Sequence, residues 1–212
     1  MIPISLCIIC YDEDYMLIYN LLNNFTFQTD VVDEIIVVCS GLVDISIPEY
    51  LYIKDKQISI KKCVVSQRIM QSKARNIGSS IANCDYIIFF DVDDQPHKQK
   101  IELTKKIIKD TSCDFLLHDY CSYPEILNQQ IAEDAIETYP ITEINQTCTN
   151  IKCFDYPIHH SHIAIKKSVF EKLKFNESEQ FYRTEDGKFC QDLVINGYKG
   201  IYTPLKLVYY TA

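Results

Sequence analysis

Ile4–Cys10 is a near-continuous apolar run, and short runs of the same kind recur at Glu34–Cys39, Ile58–Val65, Tyr86–Phe90 and Phe115–His118. Between them the apolar positions take helical spacing. Leu17, Leu21, Leu22 and Phe25 share a face of Asp14–Phe25, and Ile69, Ala74, Ile77 and Ile81 share a face of a helix ending near Asn83. Ile101, Leu103, Ile107 and Ile108 mark a third helix. Apolar strands alternating with helices of about 10–15 residues predict βαβ units and a mostly parallel sheet. The right-handed crossover rule puts helices on both faces of that sheet. Beyond Tyr120 the alternation weakens. The pattern there predicts a short helix over Asn128–Glu137, a strand over His162–Ile165, a short helix over Ser168–Leu173 and a better one over Glu185–Asn196, with Gly197 as its C-cap. The expected architecture is a single α/β domain over residues 1–212. Residues 1–119 form its ligand-binding half and residues 120–212 a smaller acceptor-side half.

Composition narrows the function more than the fold. With 212 residues, 47% hydrophobic and 24% charged, the chain is an ordinary globular one with enough length for a real core. Its five glycines, Gly41, Gly78, Gly187, Gly197 and Gly200, cannot be arranged as G-x-G-x-x-G or as a P-loop. A glycine-rich phosphate cradle is therefore excluded. A net charge of −8 argues against a nucleic-acid partner, which is bound by neutralising its phosphates with Lys and Arg. The opening apolar run has no basic residues before it and is followed at once by Asp12, Glu13 and Asp14, so it reads as a buried strand and not a signal peptide. No apolar stretch approaches the length of a transmembrane helix. The ten cysteines, several inside apolar runs, read as reduced core residues of a cytoplasmic protein without disulfides. In that compartment the N-x-[ST] sequons at Asn24, Asn145 and Asn176 are idle. Cys7 and Cys10 form a C-x-x-C, but strand residues three apart face opposite sides, so both belong to the core.

Candidate chemistry concentrates at three places. Asp91-Val92-Asp93-Asp94 follows the run Tyr86–Phe90, at a strand's carboxyl end where open α/β sheets bind ligands. Clustered carboxylates there suit a hard divalent cation shared with substrate phosphates, or else an acidic turn capping the next helix. Arg68, Lys73 and Arg75 lie on or before the helix feeding that strand. They read either as contacts to a nucleotide's phosphates or ribose, or as a solvated helix face. Glu185 and Asp186 open the last long helix, where the macrodipole favours them; a carboxylate in a site also serves as a general base. His159, His160, His162 and Cys153 match no standard structural zinc spacing.

Taken in order, these segments resemble glycosyltransferase family 2, with its GT-A fold. The matching elements are a strand ending in Tyr11-Asp12-Glu13, the strand Glu34–Val38, Ala74-Arg75-Asn76-Ile77-Gly78, the DxD-type strand end Phe89–Asp94, and Glu185–Cys190 with Gly197 beyond. The resemblance runs from about Ile4 to Tyr202 and is weakest between Tyr120 and Pro157. It implies a GT-A-type, Rossmann-like sheet flanked by helices. It also implies a hexosyltransferase-type activity that moves a sugar from a nucleotide-sugar donor to a hydroxyl acceptor on a glycan, a protein or a small molecule, with inversion. By the same resemblance Asp91, Asp93 and Asp94 hold Mn2+ or Mg2+. Tyr11, Cys39, Arg68, Arg75, Asp91 and Asp94 line the nucleotide-sugar site, and Asp186, with Glu185 as second choice, is the base. One departure stands out: where the family often shows Asp-Asp-Gly-Ser, this chain has Cys39-Ser40-Gly41-Leu42, so the carboxylate that typically contacts the nucleotide's base is missing. The rival readings are a non-catalytic nucleotide-sugar-binding module of the same fold, and a phosphatase or nucleotidyltransferase using Asp91–Asp94. The phosphatase motif wants Thr or Val where Gln95 stands, and the nucleotidyltransferase wants a glycine-rich loop where Tyr11–Asp14 stands.

Overall fold

The computed structural model describes residues 2–41, 45–122, 141–144 and 163–211. One ten-stranded sheet runs through them. β1 (Ile4–Tyr11) lies between β2 (Glu34–Ser40) and β5 (Tyr86–Asp91), parallel to both. β2 is in turn parallel to β4 (Lys56–Val65), and β3 (Tyr50–Ile53) closes that edge antiparallel. On the other side β9 (Ile163–Lys166) runs antiparallel between β5 and β7 (Phe115–Cys121). β10 (Gly200–Tyr209) is parallel to β7, and the short β6 (Gln95–Pro96) and β8 (Thr142–Glu143) pair with it antiparallel. The sheet is mixed, as α/β sheets with returning strands often are, but mostly parallel where the apolar runs are longest.

Alternation along the central strands makes two cores. Ile4, Leu6, Ile8 and Cys10 of β1 point to one face, with Ile35, Val37 and Cys39 of β2 and Tyr86, Ile88 and Phe90 of β5. Cys7, Ile9, Ile36, Val38, Ile87 and Phe89 point to the other. The first face is covered by α1 (Tyr15–Thr26) and α3 (Lys100–Thr111). The second is covered by α2 (Gln71–Ser80), the short α4 (Lys167–Phe170) and α5 (Glu185–Ile195). The expected separation of Cys7 from Cys10 onto opposite faces is what the strand produces. No disulfide joins any two of the described cysteines.

Two helix faces differ from expectation. In α1 the buried set is Ile18, Leu21, Leu22 and Phe25, while Leu17 is 37% exposed. In α2 small and polar residues make up most of the packing face: Ile77 is only half-buried and Ile81, just past the helix, is exposed, whereas Ser72, Ala74, Arg75, Asn76, Gly78 and Ser79 are buried. Close approach explains this. A Cβ on Gly78 would sit 2.3 Å from Cys7 Sγ and 3.0 Å from Val38 Cγ2, so α2 lies too near the sheet for a large apolar side chain. α5 ends as expected, with Gly197 at φ 76. Gly197 N–H donates to the Val194 carbonyl and Tyr198 N–H to the Leu193 carbonyl, at 3.0 and 3.1 Å, a Schellman pair. The Asn128–Glu137 helix and the His159, His160, His162 and Cys153 cluster fall outside the described residues.

Candidate functional site

In chain order the strands step outward from β1 to β2 and β4, then return to β5 on β1's other side. That reversal opens a crevice beyond the carboxyl ends of β1 and β5, the place where doubly wound sheets bind ligands. A cavity of about 380 Å³ occupies it. Ile9, Tyr11 and Asp14 line it from the end of β1, and Asp91, Val92 and Asp93 from the end of β5. Gln71 comes from the start of α2, Arg183, Glu185 and Asp186 from the start of α5, and Tyr210 from beyond β10. The two acidic stations among the three places singled out in the sequence therefore face one another across a single space. A smaller cavity of about 280 Å³ shares Tyr11, Asp14 and Gln71 and extends past Arg68 and Tyr182.

Asp91 and Asp93 carry the electrostatic tension of the site. Lost hydration, and then the neighbouring Asp91 charge, hold the Asp93 carboxyl above the usual carboxylate range. Asp91 is relieved by Arg75, whose Nη2 donates to its Oδ1 at 2.8 Å. Burial, and then the Glu13 charge, push Asp14 upward as well. An acid-lined cavity of this kind repels a bare diphosphate, and a divalent cation would reverse that local sign. The donor set fits such an ion in part. Asp91 and Asp93 supply hard oxygens, and no three His, Cys, Asp or Glu side chains among the described residues form a complete cage. Phosphate oxygens of a bound substrate would have to complete the shell, as is usual for magnesium.

The remaining expected residues divide. Tyr11 lines the cavity, and burial pushes its hydroxyl up to about 12; the Arg68 guanidinium lies 4.7 Å from its ring centre. Arg68 is exposed and pairs with Asp12 and Glu13, and its hydrogen bond holds Glu13 down to about 2. Asp94 does not line the cavity. It is buried, and its Oδ1 accepts the Thr211 N–H at 3.3 Å. Cys39 is buried in the α1-side core, where lost hydration lifts its thiol to about 11, and it also lies outside the lining. Lys73 sits on the solvated face of α2. Arg75 is the surprise, because it is fully buried behind the cavity wall, its Nη1 3.5 Å from Glu185 Oε1. Glu185 is itself 3% exposed, while Asp186 is half-buried with its Oδ1 accepting the Gly187 N–H at 2.7 Å.

Four polar lining residues, Asp14, Gln71, Arg183 and Tyr210, are not among the site candidates of the sequence. Asp14 closes the turn Asp12–Asp14 that follows β1, much as Asp93 follows β5, so the same rule applied to β1 would have found it. Arg183 holds a left-handed backbone at φ 67 two residues before the first residue of α5, a conformation uncommon for a residue other than glycine. Gln71 and Tyr210 reach the cavity only through packing, and no local pattern marks them.

Residues 5–174 match the family model for Glycosyl transferase family 2. Among solved structures, S. aureus TarS 1-349 in complex with UDP is similar at a TM-score of 0.73 and 16% identity, covering 100% of this chain and 61% of that one. S. aureus TarS 1-349 in complex with UDP-GlcNAc gives 0.72 and 15%, covering 100% and 59%. A longer S. aureus TarS chain gives 0.71 and 18%, covering 100% and 37%. At these identities the likeness is one of fold, and this chain spans less than two thirds of the length of those structures. A comparison with curated proteins gives no match.

Proposed function

The chain belongs to glycosyltransferase family 2, and from that premise we propose that it transfers a sugar from a nucleotide donor to a hydroxyl acceptor within one domain spanning residues 1–212. The observation that carries this reading is the single cavity shared by Asp91 and Asp93 on one side and Glu185 and Asp186 on the other. It has a donor wall rich in carboxylates and, opposite, a carboxylate presented at the start of a helix.

In this reading the nucleotide lies toward Tyr11 and Arg68, along the smaller cavity, and the diphosphate toward Asp91 and Asp93. Mn2+ or Mg2+ held by those two carboxylates and the donor's phosphates would supply Lewis-acid stabilisation of the leaving diphosphate. Asp186 takes the acceptor hydroxyl's proton as that oxygen attacks the anomeric carbon from the side opposite the leaving group, which inverts the centre. Glu185, tied to Arg75, is the weaker candidate for that proton. UDP-sugars are the first donors to try, since the similar TarS structures hold UDP and UDP-GlcNAc. No helix among the described residues is long and apolar enough to cross a membrane, and we read the site as working in the cytoplasm.

The test is a thermal-shift screen of UDP-, GDP-, CMP- and dTDP-sugars with manganese, repeated in EDTA. A donor at about 100 times its Kd stabilises by about 2.7 kcal/mol, and EDTA should remove that shift. Asp186→Asn should then lose transfer at least about a hundredfold, the lower end of general-base contributions, with donor affinity nearly unchanged. Full donor affinity in EDTA would refute the metal role. An active Asp186→Asn enzyme would refute the base assignment, and no shift with any donor would refute the transferase reading.

A further inference from the structure

The motif Ala74-Arg75-Asn76-Ile77-Gly78 is not spent on ligand contact, for none of its residues lines the main cavity. Its side chains instead reach across the domain. Arg75, on α2, is 0% exposed and lies between two carboxylates from different parts of the chain. Nη2 donates to Asp91 Oδ1 at 2.8 Å, and Nη1 lies 3.5 Å from Glu185 Oε1. A buried arginine held by one good hydrogen bond and one ion pair is costly unless its geometry serves something. Among the described residues its Nε and Nη1 find no hydrogen-bond partner, so the guanidinium is not placed to maximise its own pairing.

Asn76 makes a second attachment. Its Oδ1 accepts the Phe175 N–H at 3.1 Å, and its Nδ2 donates to the Phe175 carbonyl at 3.0 Å and to Glu177 Oε1 at 2.8 Å. An amide that satisfies both backbone groups of one residue fixes that residue much as a neighbouring strand would. Phe175 stacks on Phe189 of α5, ring centres 4.2 Å apart, and lies 5.6 Å from the Arg75 guanidinium. Ala74 and Gly78 allow the approach: a Cβ at Gly78 would collide with Cys7 of β1.

We infer that Arg75 and Asn76 are positioning residues, a two-point brace that fixes the start of α5, and so Asp186, relative to Asp91 on the donor wall. The inference rests on the transferase reading only for its catalytic consequence. Neither residue touches substrate. They act through Asp91, Glu185 and Phe175, so that the proton acceptor and the donor site stay in register, where a displacement of about 1 Å can cost on the order of a hundredfold in rate.

Arg75→Lys keeps the charge, but an ammonium lacks the fork that reaches two carboxylates at once. Asn76→Ala cuts the second attachment and leaves the charges alone. Both are compared with the parent by amide exchange, by donor affinity and by the split of donor turnover between transfer and hydrolysis. Exchange at residues 186–190 should quicken about tenfold in either variant, the scale of one hydrogen bond lost in a local network, while β1 and β2 keep their protection. Donor affinity should change little, and turnover should move from transfer toward hydrolysis by roughly tenfold or more. A uniform rise in exchange over β1, β2 and α5, with the transfer-to-hydrolysis split unchanged, would make the pair merely structural and overturn the proposal. So would unchanged exchange at residues 186–190. Weakened donor binding with an unchanged split would make Arg75 a donor contact, which also overturns it. If the parent turns over no nucleotide sugar, the exchange arm still decides the brace, and the transferase reading fails separately.

Discussion

At the scale of single residues, burial decides what a charge is for. Arg68 and Arg75 stand seven positions apart in one basic stretch, and the sequence treats them alike. Packing separates them: Arg68 sits at the surface over Tyr11, and Arg75 sits in the interior between Asp91 and Glu185. Lys100 and Lys105 are also buried, and Lys100 is the deeper of the two. It is 1% exposed, its amino group touches His118 Nε2 and lies 5.5 Å from the centre of the Phe90 ring. Loss of water lowers its amine to about 7 against the opposing pull of Asp94. The native amine therefore gives up its proton more readily than the unfolded one. Its contribution to stability is present above the unfolded value and is lost as pH falls toward the native one. Urea unfolding should accordingly show stability rising from pH 7 to about pH 7.5, before the buried thiols, which ionise in the unfolded chain at about 8.5, oppose it, by at most about 1.4 kcal/mol per pH unit. Lys100→Met should flatten that rise. A parent profile that is flat or falling there would contradict the assignment.

At the scale of elements, small residues set the approach of helix to sheet. α2 makes its closest approach through Ala74 and Gly78, with Ile77 only half-buried at the margin of the core, since its axis lies too close to Cys7 and Val38 for larger side chains there. Gly78→Ala should therefore destabilise the protein by about 1–3 kcal/mol, the usual cost of overpacking, as a lowered urea midpoint with an unchanged slope. Pairing it with Cys7→Ala opens the space the new methyl needs. The double variant should lose less than the two single losses added together. Strict additivity would mean that the contact is relieved some other way. β10 shows the opposite problem, a strand that packing makes and pattern hides. Pro204 and Lys206 interrupt its apolar run, and its register against β7 shifts on both sides of Lys206. Proline removes a ladder donor and is tolerated at such irregular points.

At the scale of the molecule, the two faces of the sheet hold the thiols as well as the apolar side chains. Burial pushes Cys7 and Cys10 up to about 12 and Cys39 up to about 11, and raises Cys190 too. Reactivity needs thiolate and access, so native protein at pH 8 should leave these four unalkylated while the half-buried Cys63 reacts, with all labelled on unfolding. Peptide mass spectrometry checks this, and native labelling of Cys10 or Cys39 at the rate of Cys63 would contradict it. The same burial explains how much the sequence could show. Four of its apolar runs became β1, β2, β5 and β7, because a strand buried on both faces must be apolar at nearly every position whatever surrounds it; the fifth became β4, which is half-exposed and buries chiefly Ile58 and Ile60. Asp91 and Asp93 were legible because the end of such a strand is where an α/β sheet opens to ligand. The sequence alone thus determined the sheet's central strands and the place of its acidic end. Tertiary structure alone decided that β9 inserts antiparallel between β5 and β7, that Asp94 turns to Thr211 and away from the cavity, and that Arg183 and Tyr210 join the lining. The reason is physical: periodicity records only how much of a residue is covered, whereas pairing order, side-chain direction and the partner of a charge depend on which distant segment does the covering.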